Sequence, residues 1–99
     1  MKVTLNKQFK QLSGAEMGGM RMGQVLAEAL SASNKGNSIK LYNWALKLYN
    51  KESLEMDDTD FEVLRGLIET SEMIQNLFKA QITIELDKIK EASNKQKKS

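Results

Sequence analysis

Apolar residues recur at helical spacing over most of this chain and alternate with polar ones only near its start, a pattern that predicts a mainly helical domain with a small strand component. From Met22 onward, Val25, Leu26, Ala29, Leu30 and Ala32 follow the period of a first helix, which stops before Gly36. Asn37 or Ser38 caps a second helix with Leu41, Tyr42, Ala45, Leu48 and Tyr49 on its inner face, and the short turn at residues 34–37 makes the two helices antiparallel neighbours. In Thr59-Asp60-Phe61-Glu62 the threonine hydroxyl and the glutamate three residues on form a capping box, opening a third helix with Phe61, Leu64, Leu67 and Ile68 inward. Ser71 is a further cap, so a bend is expected there. Ile74, Leu77, Phe78, Ile82, Leu86 and Ile89 then extend the rhythm to residue 89.

Val3-Thr4-Leu5 and Phe9-Lys10-Gln11-Leu12 alternate and end at Ser13-Gly14, which predicts two short strands; Ser53-Leu54-Glu55-Met56 predicts a third that pairs with them. Four glycines between residues 14 and 23 predict a flexible loop leading into a helix that begins near Arg21. The fold class is therefore α+β and predominantly helical, with three to four helices and a small N-terminal β-sheet. Residues 1–91 form a single compact domain, and the polar, lysine-rich stretch 92–99 is a disordered basic tail.

Composition narrows the chemistry. The chain of 99 residues has no histidine and no cysteine, which removes zinc-finger, thiol-nucleophile and Ser-His-Asp readings and leaves no candidate catalytic residue, metal site or cofactor. No apolar run is long enough to span a bilayer and the start has no signal core, so the expected location is the cytoplasm. Charge is uneven. Residues 1–50 hold seven basic and two acidic side chains, whereas 51–92 hold eleven acidic and five basic ones; such halves attract each other, within one chain or between two.

Two clusters are candidate partner-binding surfaces. Lys40, Trp44, Lys47 and Lys51 fall within an arc of roughly 60° at about 100° per residue, away from the Leu41–Ala45–Tyr49 stripe. An outward indole among ammonium groups suits stacking on a base or partner side chain; the alternative is that Trp44 packs beneath a neighbouring strand while the lysines solvate the helix. Asp57 and Asp58, with Glu55, Asp60 and Glu62, form an acidic patch that lacks the glycine and terminal glutamate of a calcium loop and is explained first by helix capping. Residues 14–23 match neither phosphate-loop pattern. Met17, Met20 and Met22 offer an adaptable apolar surface or enter the core.

The order Leu5-Asn6, Leu12-Ser13-Gly14, then Met22-Gly23-Gln24-Val25-Leu26-Ala27, the helix from Tyr42 to Tyr49, Asp57-Asp58-Thr59-Asp60 and Lys79-Ala80-Gln81-Ile82 resembles small proteins of tailed bacteriophages and prophages. The resemblance implies a phage setting, in which the cytoplasm is that of a bacterial host cell, and transfers no functional residue. Together these features predict a non-enzymatic binding protein that engages, and inhibits or regulates, a host or virion protein. Two alternatives stand beside it: nucleic-acid binding through the basic first half, and a homo-oligomer that sequesters a nucleotide between subunits.

Overall fold

Side-chain alternation at the start of the chain sets the first contacts. Val3 and Leu5 are buried while Thr4 between them is exposed, and the segment lies along the residues that follow the second helix. A computed structural model describes residues 1–33 and 36–97. In it, β1 (Lys2–Val3) pairs antiparallel with β4 (Leu54–Glu55), Lys2 opposite Glu55 and Val3 opposite Leu54. The terminal ammonium of Met1 donates to the Met56 carbonyl at 2.6 Å, and the Met56 amide donates back to Met1 at 2.9 Å. The strand expected at residues 53–56 is thus present and pairs with the amino terminus.

The glycine-rich stretch is not the loop its composition predicts. β2 (Gln8–Lys10) pairs antiparallel with β3 (Glu16–Arg21). Gln8 lies opposite Arg21 and Lys10 opposite Glu16, so the single residue Phe9 on β2 faces Met17, Gly18, Gly19 and Met20 on β3. Gly19, with φ at +87°, takes up the resulting bulge in a conformation that L side chains rarely adopt. The backbone of β2 supplies hydrogen bonds that outweigh the poor strand propensity of glycine.

Helix α1 (Met22–Ala32) follows β3 directly, and α2 (Ser38–Tyr49) returns beside it. Gly23 at the start of α1 abuts Leu48 at the end of α2, whereas Ser31 near the end of α1 lines one groove with Tyr42 near the start of α2, which makes the two helices antiparallel. Asn37 caps α2 as expected, its side chain accepting from the Lys40 amide at 3.0 Å. At the far end, Lys51 adopts φ of +66° while its amide donates to Leu48 and the Glu52 amide to Lys47, the paired bonds of a left-handed helix stop.

Helix α3 (Asp58–Thr70) is capped by Asp57, not by Thr59. The Asp57 carboxylate accepts the Asp60 amide at 2.7 Å, a charged acceptor in extended backbone that outcompetes the neutral hydroxyl two residues later. After Thr70 the helix ends, and α4 (Asn76–Lys97) starts a separate element. Lys79 bridges the break by donating to the carbonyls of Glu69 and Ser71 at 3.3 and 2.7 Å, groups the end of α3 leaves unpaired. Helical backbone continues as far as Lys97, across residues where the composition predicts a disordered tail; Lys98 and Ser99 lie outside the described residues.

One cluster of buried side chains joins these elements, among them Leu5, Phe9, Leu26, Leu48, Leu54, Phe61, Leu64, Ile82 and Leu86. Phe9 packs on Phe78 of α4 at 4.5 Å between ring centroids. One turn on, the Gln81 carboxamide accepts the Lys10 amide at 2.8 Å and donates to the Lys10 carbonyl at 2.7 Å, as a neighbouring strand would. Lys7 pairs with Glu85 at 3.1 Å. Between α3 and α4, Lys90 reaches Glu62 at 2.7 Å and Arg65 reaches Asp87 at 3.2 Å, a spacing that fixes those helices as antiparallel.

Two glycines make opposite predictions. A Cβ on Gly23 would stand 2.8 Å from the Leu5 carbonyl oxygen and 3.1 Å from that of Leu48, both backbone atoms, so Gly23→Ala is expected to destabilise the fold by about 1–3 kcal/mol. Gly66 lies within α3 with open space around it, and Gly66→Ala is expected to stabilise by about 0.5–1 kcal/mol; urea denaturation reads both.

The Lys90 ammonium, by hydrogen bond and by charge, holds the Glu62 carboxyl below its ordinary value of 4.5. A carboxyl lowered by folding contributes stability that is present above 4.5 and lost as pH falls through the depressed value. Lys90→Met is expected to raise the Glu62 midpoint in an NMR titration. Its stability deficit against the native chain should be visible at neutral pH and fade in acid.

Candidate functional site on helix α2

Helix α2 carries apolar side chains on more of its circumference than the core can cover. Leu41, Trp44, Ala45 and Leu48 are buried, whereas Ile39, Tyr42, Leu46 and Tyr49 are exposed by 74%, 59%, 42% and 55%. At about 100° per residue the buried set centres near Leu48, roughly 50° round from the centre of the predicted inner face of Leu41, Tyr42, Ala45, Leu48 and Tyr49.

This rotation corrects the reading of Trp44. Its indole is 7% exposed and belongs to the core cluster. Lys40 extends over it, with Nζ 5.7 Å from the ring centroid and 2.5 Å from the Asp60 carboxylate of α3. Two physical terms favour the exchange: an indole removes more apolar area from water than a phenol, and each tyrosine hydroxyl stays hydrated when left outside. An indole presented for stacking is therefore not what the structure contains.

The remaining sequence candidates separate. Lys47 is exposed on the polar flank of α2. Lys51 is exposed, but its backbone forms the helix stop and its carbonyl accepts from the Asn6 side chain at 3.2 Å. Asp57 is committed to capping α3, and Asp58 is exposed in the first turn beside it. Of the methionines, Met22 is buried, Met17 is partly covered and Met20 is 37% exposed. Acidic and basic segments meet within the chain through Lys7–Glu85 and Lys40–Asp60.

What sequence reasoning missed is the stripe of Ile39, Tyr42, Leu46 and Tyr49, spaced three, four and three residues apart. Its signal was the excess itself, since α2 has apolar residues at two overlapping sets of helical positions. Beside the stripe, Ala27, Ser31 and Ala45 floor a groove of about 220 Å³ between α1 and α2, walled by Tyr42, Leu46 and Tyr49 and bordered by the exposed Glu28. Small residues on the floor let another side chain approach the backbone, and tyrosine walls supply large rigid contact area at low entropic cost.

A larger cleft of about 620 Å³ lies between the amino-terminal segment and α4. Several of its polar groups pair with other groups of the chain: Thr4 with Ser53 at 2.6 Å, Asn6 with the Lys51 carbonyl, and Lys7 with Glu85. Among the described residues no group of three or more acidic side chains is placed to hold a metal ion, and no helix is long and apolar enough to cross a membrane. Comparison with protein-family models, with curated proteins and with solved structures gives no match.

Trp44→Ala is expected to cost about 3–5 kcal/mol, whereas Tyr42→Ser should cost under about 1 kcal/mol. Chemical denaturation separates a residue that holds the fold from one available for contact.

Proposed function

We propose that this chain is a non-enzymatic binding protein whose protein-contact surface is the exposed apolar face of α2. The observation that carries the reading is the row Ile39, Tyr42, Leu46 and Tyr49, a contiguous apolar surface rich in tyrosine beside a groove floored by small residues. Leaving such a face in water costs hydrophobic free energy, and faces of this composition are typical of contact sites between proteins. Relative to the sequence expectation, the contact moves from the Trp44–lysine side of α2 to its opposite flank. A phage setting, in which the chain acts on a host or virion protein, belongs to the same proposal and rests on the resemblance of sequence features alone.

Nucleic-acid binding draws less support, because Lys7, Arg21 and Lys40 are engaged inside the chain. The face is tested by placing a photoreactive amino acid at position 46 and, as control, at position 72 on the exposed turn before α4. Protein adducts identified by mass spectrometry from position 46 and not from position 72 are expected. Adducts absent from position 46 would refute the proposal.

A further inference from the structure

The polar borders of the α2 face differ in charge, and that difference selects an occupant. On the α1 side stands Glu28, level with Ala45 and Leu46 across the groove; on the other side of the stripe, at about 80° and 120° from its centre, stand Asn43 and Lys47. Glu28 and Lys47 are exposed, and neither side chain is hydrogen-bonded or ion-paired within the described residues. Each copy thus presents a ridge, a groove, an unpaired acid and an unpaired base on one surface.

We propose that the occupant of this face is a second copy of the chain, with the two α2 helices parallel about a two-fold axis that runs along them. This inference rests on the reading of α2 as a contact surface and names what covers it. A two-fold in that direction exchanges the two borders. Each α2 then sits in the α1–α2 groove of the other copy, with Leu46 above the floor of Ala27, Ser31 and Ala45. Glu28 of one copy lies beyond the seated helix, at the level of Lys47 on its flank, and the symmetry repeats the pair. An antiparallel two-fold leaves the borders unexchanged and sets Glu28 against Glu28 and Lys47 against Lys47, so charge decides the direction. Ridge, groove and complementary charges on one patch meet the self-complementarity that a closed dimer requires. The face is small, which places the dissociation constant in the micromolar range, about 1–100 µM.

Sedimentation equilibrium over that range tests it, with circular dichroism confirming that each variant is folded. The native chain is expected to move from monomer to dimer mass, and Leu46→Asp to remain monomeric. Glu28→Lys and Lys47→Glu alone should each weaken the dimer about tenfold, and the two together should restore it. Because both side chains are exposed and unpaired, the cycle reads the interface and not the core. Dimerisation unaffected by Leu46→Asp, or a charge cycle without recovery, would overturn the arrangement. Monomer mass at every concentration would overturn it too, and adducts from position 46 to a different protein would in that case leave the contact-surface reading standing.

Discussion

The rotational setting of α2 is the constraint on which the rest of this molecule turns. Burial of Trp44 beneath the Lys40–Asp60 pair fixes which flank of the helix enters the core. Once the indole is inside, Leu41 and Leu48 follow it, and Ile39, Tyr42, Leu46 and Tyr49 have no interior left to enter. The core and the exposed apolar face are two consequences of one choice. The same setting brings the end of α2 against Gly23, where the absence of a side chain lets α1 pass within van der Waals reach of two backbone carbonyls.

Much of the fold was legible because its signals are local. The Asn37 cap, the period of α1 and the alternation at Val3-Thr4-Leu5 are each decided within a few residues, and the structure contains them. β4 was legible for the same reason, as Leu54 alternates with its polar neighbours. β3 was not: Gly18 and Gly19 read as loop because a strand held by its partner's backbone needs no propensity of its own. Asp57 displaced Thr59 as the cap through a competition between two good acceptors that composition does not rank. The site itself was half legible. Helical spacing located Leu41, Trp44, Ala45, Leu48 and the two tyrosines of α2 but passed over Ile39 and Leu46. Choosing between Trp44 and the tyrosines depends on the Asp60 that α3 brings to the Lys40 above the ring, which is long-range information.

Opposite charge in the two halves of the chain finds part of its explanation indoors. Lys7 with Glu85 fastens the hairpin of β2 and β3 to α4, and Lys40 with Asp60 ties α2 to α3, each pair crossing from the basic half to the acidic one. Both pairs are partly exposed and modest in strength, yet they favour one docking of the elements over others. Lys47 and Glu28 are left outside this internal neutralisation, on either side of the apolar stripe.

The hairpin illustrates how a small protein stays out of fibres. Gln81 occupies the backbone groups of Lys10 that an incoming strand would use, and the four-against-one mismatch at Gly18 and Gly19 distorts the opposite rim out of register with any straight template. Cross-β growth is thereby denied a seed on either margin. The proposed association between copies would use side chains on helices and stop at a closed pair, where a strand-built contact would propagate without end.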